Sequence, residues 1–330
     1  MSRLPQTQRA LQFNRVGGPE VLEIATSAPL PSIKPDQILV KNAYAGVNYI
    51  DTYFRGGVYP ASPLPYTLGR EGEGTIVAIG SSVTDYKVGD YVGYMGPESQ
   101  AEYTAVSANY VIAVPAGVEP GVTAAVLLQG LTAFTLIRDA HEVKRGDAVL
   151  VHAAAGGVGL LLCQLLRAVG AGTIIATAST KEKLQLAEKN GATHGIDYSK
   201  EDWVARVKEI TGGQGVIAVF DGVGKSTFDG DLEVLARKGS LVSFGNASGV
   251  VPPFSIGRLS AKNLKVLRPT LFMYLTTKEE FTEAATELLR FVKEKKVDVK
   301  IHKIYSLEEA QQAHKDIEGR GTTGKLVYKL

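Results

Sequence analysis

Cysteine is nearly missing from this sequence. Cys163 stands alone among 330 residues, which excludes an intramolecular disulfide and a cysteine-rich zinc site. Its place in the apolar run GLLLCQLL suits a small packed hydrophobe rather than a nucleophile. Histidine is sparse as well: His141, His152, His194, His302 and His314 are scattered without ligand spacing. Catalytic zinc needs about three His, Cys or carboxylate ligands, so no metal site is expected. No dense lysine or arginine run occurs and the formal net charge is +2, which disfavours strong RNA binding. The N-terminal MSRLPQTQRALQF lacks the apolar stretch of about 7–15 residues that marks a secretory signal. No apolar segment is expected to reach the roughly 20 residues that span a bilayer. These absences predict a soluble, cytoplasmic protein with no membrane partner.

What is present is a globular balance, 45% apolar and 21% charged, in a chain long enough for about two domains. The first 125 residues read as short β segments broken by Gly and Pro: QILVKNAYAG, EGTIVAIG, DYVGYMG and AEYTAVS. A partly open β-barrel is expected there, with RGGVYPASPLPYTLG as a surface excursion. Near Val122 the texture changes to a helical run, TAAVLLQGLTAFTLIRDA. Strands AVLVHA, TIIATA, HGIDY, VIAVFDGV, SLVSFG and LKVLRP then alternate with helical stretches, which predicts βαβ units around a parallel sheet. The closing VKIHKIYSL and GKLVYKL leave that alternation and are expected to rejoin the first domain. The fold class is therefore α/β, with one domain over 1–125 and 270–330 and a second, dinucleotide-binding domain over 126–269.

The second domain opens on HAAAGGVGLLLCQLLRAVGA. In a dinucleotide fold the first strand ends in a tight turn and the next helix aims its N-terminus at the pyrophosphate. The glycine places fall at Ala154, Gly156 and Gly159, so the fingerprint reads A-x-G-x-x-G. Gly156 leaves room for a phosphate and Gly159 lets helix and strand pack closely. Alanine at 154 means that the turn avoids positive φ there or is looser. About 20 residues on, where an NAD-binding chain carries Asp or Glu, stand Ser179, Thr180, Lys181 and Lys183. Hydroxyls and ammonium groups suit a 2′-phosphate that a carboxylate would repel, so NADPH is favoured over NADH. Ser179 or Thr180 also fits as a helix N-cap. In GREGEG, Glu71 and Glu73 are expected to be ion-pair or hydrogen-bond partners that support the fold rather than an acid/base pair.

AGVNYIDTYFRGGVYP, LGREGEG, HAAAGGVG and SFGNASG resemble the zeta-crystallin-like NADPH:quinone oxidoreductases, the fungal members most of all. These belong to the medium-chain dehydrogenase/reductase superfamily, and the likeness runs from GGPEVLE to GKLVYKL. The resemblance implies a GroES-like β-barrel domain and a six-stranded Rossmann domain with a cleft between them. It implies the zinc-free branch, because Gly69-Arg70-Glu71 replaces the Gly-His-Glu of the zinc alcohol dehydrogenases. By motif it implies that Asn48, Tyr53 and Thr132 lie by the nicotinamide. Gly156, Gly157, Val158 and Gly159 would hold the pyrophosphate, and Ser179 and Lys183 the 2′-phosphate, with Tyr198 near the adenosine. Val223, Gly245, Asn246, Ala247 and Ser248 would line the cofactor, and Arg320 would contact it. Gly222 departs from relatives that carry Ser.

The activity implied is transfer of hydride, or of single electrons, from NADPH to a quinone or another conjugated carbonyl, without zinc. Asn48 and Tyr53 are the expected catalytic residues, polarising the carbonyl or positioning the ring, with no indispensable acid or base. An alkenal or enone reductase, and a non-enzymatic NADPH-responsive protein that binds RNA, are the alternatives. A homodimer joined through an edge of the Rossmann sheet is also implied, with NASGVVPPFSIGRLS and LRPTLFMYL at that edge.

Overall fold

The computed structural model describes residues 4–330. From the N-terminus run strands β1 (Thr7–Phe13), β2 (Glu23–Pro29) and β3 (Gln37–Val47), then helix α1 (Tyr49–Arg55). Strands β4 (Tyr66–Thr67), β5 (Glu71–Ile79), β6 (Tyr91–Met95), β7 (Tyr103–Ser107) and β8 (Val111–Ala113) lead to helix α2 (Val122–Thr135). Next come β9 (Ala148–Val151), α3 (Gly157–Val169), β10 (Thr173–Ala178), α4 (Lys181–Lys189), β11 (His194–Asp197) and α5 (Trp203–Ile210). Strand β12 (Val216–Asp221), α6 (Phe228–Val234), β13 (Leu235–Ser243), β14 (Lys265–Leu267) and α7 (Leu271–Tyr274) complete the alternating part. The chain closes with α8 (Lys278–Lys293), β15 (Ile301–Tyr305), α9 (Ala310–Glu318) and β16 (Lys325–Lys329). Two compact units result: everything to Leu128 with Thr277–Lys295 and Val299–Leu330, and Gln129–Thr276 with Lys296–Asp298.

In the first unit β3 is the organising strand. Its β-branched and aromatic residues favour an extended backbone, and it pairs antiparallel with β5, β7 and β16. The sheet order is β15-β16-β3-β5-β6-β8, with β7 also on β3, and a separate three-stranded sheet runs β2-β1-β4. The last strand thus returns to the first domain's sheet, with Val327 opposite Gly46. Two apolar clusters hold the unit. One joins Leu11, Phe13 and Val47 to Tyr305, Leu326 and Tyr328; the other joins Ile38, Val40, Ile76, Val92 and Tyr94.

The second unit contains one six-stranded sheet in the order β11-β10-β9-β12-β13-β14, and every neighbouring pair is parallel. This is the doubly wound Rossmann order, whose switch point lies between the first strand and the fourth, here β9 and β12. Leu150, Ile175, Val219 and Leu241 are buried on the strands, and Val207, Phe228 and Leu232 pack against them from the helices. Cys163 is buried here too, and burial pushes its thiol up to about 12, leaving it inert.

One expectation needs correction. The stretch Val122–Ala140 is 19 residues long and apolar enough to cross a membrane by length and composition, although no such segment was expected. Its most apolar window is 72% buried inside the protein, so the apolarity belongs to a core helix. In the fingerprint turn the left-handed residue is Ala153, at φ 50°, one place before the substituted glycine position. Ala154 keeps negative φ, and its N–H donates to Thr177 O at 3.1 Å.

Candidate active site

The turn after β9 leads into a helix start that no side chain caps. Helix α3 starts at Gly157 with Gly156 as N-cap, and no side chain caps it. The first N–H groups of a helix have no intrahelical acceptor, and the helix dipole adds partial positive charge there. A Cβ on Gly156 would meet one atom, the Ala153 carbonyl oxygen at 3.2 Å, so the space before this residue is open. Gly159 does different work: a Cβ there would lie 2.5 Å from Ala153 O and 2.7 Å from Ala154 Cα. Close packing of α3 on the turn requires its bare backbone. Gln129 abuts Gly157, and its buried Oε1 has no hydrogen-bond partner among the described residues. Nothing in the sequence marks Gln129 as the acceptor beside this turn. Thr132 lies half-buried one turn further along α2.

Register sets Ser179 and Tyr198 side by side. Ala178 of β10 pairs with Asp197 of β11, so Ser179 and Tyr198 leave adjacent strand ends, and Tyr198 N–H donates to Ala178 O at 3.2 Å. Thr180, not Ser179, is the N-cap of α4, accepting from Lys183 N–H at 3.3 Å. Ser179 is thereby left outside the cap role. Lys200 pairs with Asp197 at 3.0 Å, and Ser199 and Lys200 hold that carboxyl below its usual range. The strand end thus offers little uncompensated negative charge.

The later loops are laced into one surface. Asp221, fully buried, accepts from the N–H groups of Val223 (2.7 Å) and Gly224 (3.0 Å). Ala247 N–H donates to Gly222 O at 3.2 Å, and Ser248 donates to Val223 O through both N–H (2.8 Å) and Oγ (2.9 Å). Arg268 Nη1 donates to Gly245 O at 3.0 Å, and Asn246 in its preferred amide orientation accepts from Arg268 Nη2 at 2.9 Å. At Gly222 a Cβ would come within 2.9 Å of the Phe244 ring, which gives a steric reason for glycine there.

In the first unit Asn48 caps α1, its N–H donating to Asp51 Oδ2 at 2.9 Å. Its side chain is buried and engaged at both ends. Nδ2 donates to Glu71 Oε1 at 2.8 Å and Oδ1 accepts from Lys325 Nζ at 2.6 Å. Lys325 also pairs with Glu71, and all three side chains are nearly solvent-free. Glu71 Oε2 further accepts from Leu128 N–H at 2.6 Å, while Glu73 accepts from Gly121 and Ala124 N–H at the start of α2. Both carboxylates therefore support the fold, as expected. Burial pushes Asp51 up to about 6, against the lowering pull of Asn48 N–H, Lys325, Arg70 and Gln100. Tyr53 packs edge-on between Tyr49 (5.5 Å) and Tyr59 (5.3 Å). Arg70, at the place of the zinc enzymes' histidine, stacks 4.2 Å over Phe54 and donates to Tyr66 Oη. Arg320, exposed and left-handed at φ 58°, follows α9.

A metal does not fit this donor set. Among the described residues no group of three His, Cys, Asp or Glu side chains could hold one. Glu71, the carboxylate left in the motif, is saturated by an ammonium, an amide and a backbone N–H. Lys325 is the residue that sequence reasoning missed; its signal was a lysine inside the apolar strand KLVYK.

Residues 34–116 match the alcohol dehydrogenase GroES-like domain and 157–290 the zinc-binding dehydrogenase domain. The chain is 46% identical to a probable quinone oxidoreductase of Schizosaccharomyces pombe, over 96% of this chain and 95% of that one. It is 40% identical to an Escherichia coli quinone oxidoreductase solved in complex with NADPH, with a TM-score of 0.93 over 98% of this chain and 100% of that one. A mycobacterial structure complexed with NADPH is 42% identical with a TM-score of 0.94, again over 98% and 100%. The description of that wider group names zinc, while among the described residues no group of three His, Cys, Asp or Glu side chains could hold a metal. With this likeness along both units, the chain belongs to the quinone oxidoreductase family of the zinc-binding dehydrogenase group.

Proposed function

We propose that this protein is an NADPH-dependent quinone reductase that works without zinc. The observation that carries the reading is the turn Gly156–Gly159, where the backbone at Gly156 opens onto space at an uncapped helix N-terminus. Gly156, Gly157, Val158 and Gly159 hold the pyrophosphate; Ser179 and Lys183 bind the 2′-phosphate, and Tyr198 lies close to the adenosine. Val223, Gly245, Asn246, Ala247 and Ser248 line the remainder, with Thr132 and Arg320 as further contacts. NADPH supplies the reducing equivalents, as hydride or single electrons. Asn48 and Tyr53 orient the nicotinamide and the acceptor carbonyl. The fixed amide of Asn48, clamped by Lys325 and Glu71, favours orientation over proton transfer. Solvent then supplies the proton.

Oxidation of NADPH followed at 340 nm with 1,2-naphthoquinone and with a short enal tests this reading. Preference for the quinone supports it; turnover of the enal alone makes the protein an enone reductase. Asn48→Ala should slow turnover with NADPH affinity intact, and a complete loss would make Asn48 indispensable.

A cytoplasmic homodimer completes the reading. Strand β14 is the free edge of the parallel sheet, and beside it Val250, Ile256 and Met273 are 61%, 80% and 75% exposed. Val250 also lines a pocket of about 550 Å³ with Phe228, Pro252, Phe254, Val266 and Leu267. Unpaired strand edges with apolar rims invite a second copy. Sedimentation of wild type and Ile256→Asp, the latter shifted toward monomer, checks it.

A further inference from the structure

The centre of the Rossmann sheet contains a buried polar chain that the proposed reaction does not use. His152 directly follows β9 and is 3% exposed, while Asp221 and Asp231 are fully buried and Thr177 is 1% exposed. His152 Nδ1 shares a 2.8 Å hydrogen bond with Thr177 Oγ1 on β10, and Nε2 donates to Asp231 Oδ1 on α6 at 2.8 Å. The Trp203 ring meets the imidazole edge-on at 4.8 Å. Among the described residues Asp231 Oδ2 finds no hydrogen-bond donor. Burial raises Asp231 to about 6 against the lowering pull of His152, and the neighbouring Asp221 carboxyl raises it further. Asp221 passes the chain on to the N–H groups of Val223 and Gly224.

Such a chain is costly. Buried charges are rarely a net gain in stability over apolar residues of the same volume, and their attested use is to specify one arrangement. Its position indicates which arrangement is specified. It ties together the C-terminal ends of three adjacent strands, β10, β9 and β12, where ligands bind in open α/β sheets. Thr177 lies two residues before Ser179, His152 one residue before the fingerprint turn, and Asp221 shapes the loop that clasps Ala247 and Ser248. The backbone supplies a parallel link, with His152 N–H donating to Phe220 O at 3.1 Å.

We propose that His152 is a positioning residue for the dinucleotide, its two ring nitrogens setting the 2′-phosphate strand end and the nicotinamide-side loop in register with the phosphate turn. The inference rests on the reading of these loops as the NADPH site. His152 touches no part of the cofactor; it acts through Thr177 and through the two aspartates.

The test is NADPH binding by fluorescence titration and calorimetry on the full-length wild type, His152→Gln, His152→Asn, Thr177→Val and Lys183→Ala. Thermal midpoints are taken without cofactor. Expected for His152→Gln and His152→Asn is a rise in NADPH Kd of about tenfold or more, with kcat at saturating NADPH within about threefold and KM for quinone unchanged. Neither amide reaches both partners, so neither restores wild-type affinity. Thr177→Val removes one hydroxyl and no charge, and is expected to weaken NADPH by about threefold to tenfold while NADH binding stays level. Lower thermal midpoints with unchanged NADPH affinity in both His152 variants would overturn the proposal, as would full affinity in Thr177→Val should the His152 variants fail to fold. If Lys183→Ala also binds NADPH like the wild type, the assignment of the 2′-phosphate site fails instead.

Discussion

Lys325 Nζ lies 2.6 Å from Asn48 Oδ1, so an ammonium from the last strand fixes the amide that caps the first helix. The same ammonium neutralises Glu71, and neither charge meets solvent. Removing one partner of a buried pair strands the other. Lys325→Met is expected to destabilise the protein by about 3–5 kcal/mol in urea denaturation, and Lys325→Met combined with Glu71→Gln to recover a large part of that loss. Equal stability of the single and double variants would mean that Glu71 is held by Leu128 and Asn48 alone.

Gly156 and Gly159 separate binding from folding within four residues. Gly159→Ala drives a methyl into the Ala153 and Ala154 backbone and is expected to lower stability by about 1–3 kcal/mol. Gly156→Ala meets one carbonyl oxygen at 3.2 Å, so the protein should fold nearly as well as wild type. Its methyl occupies the space that a phosphate needs, and NADPH affinity should fall by about tenfold or more. Thermal melts and calorimetry on the pair check both halves.

Why the sequence showed one half of this site more clearly than the other follows from the range of the interactions. The parallel sheet and the glycine turn are local: strand, turn and helix lie within the 22 residues from Ala148 to Val169, and periodicity exposes them. Even HGIDY, four residues of strand, was readable from its place in the alternation. The Lys325–Glu71–Asn48 cluster joins residues 254 and 277 positions apart, and no spacing rule reaches that far. The His152–Asp231 pair is hidden for the same reason. A histidine before the glycine turn and an aspartate in FDGDLEV carry no mark of each other until α6 packs on the sheet. The left-handed residue at Ala153 instead of position 154 reflects local backbone geometry that side-chain identity does not announce.

Selectivity for the phosphorylated dinucleotide should follow Lys183. A charge-assisted hydrogen bond contributes about 1.5–3 kcal/mol, which is about tenfold or more in affinity. Lys183→Ala is therefore expected to raise the NADPH Kd by that factor and leave NADH unchanged, and Ser179→Ala to have a smaller effect in the same direction. Rising salt should weaken NADPH binding by wild type more than by the lysine variant, because screening acts on the charge that remains. Calorimetry with both dinucleotides at two salt concentrations measures all of this.

His314 should govern part of the acid sensitivity of the first unit. It is buried on α9, where burial and then the Arg55 guanidinium lower it from 6.5 to about 3. Its Nδ1 accepts from Arg55 Nη1 at 2.9 Å, and Arg55 pairs with Glu318 at 2.7 Å, joining α1 to α9. The folded chain therefore keeps this imidazole neutral while the unfolded chain protonates it below about 6.5. The stabilising contribution is complete above that value and is lost progressively as pH falls toward 3, because over this window the unfolded state binds the extra proton. Between pH 7 and pH 4 the loss from this group is about 3 kcal/mol. In His314→Gln the amide oxygen can still accept from Arg55, but nothing titrates. Urea unfolding at stepwise pH should show wild type losing stability relative to the variant across that window, and parallel curves would mean that His314 titrates alike in both states.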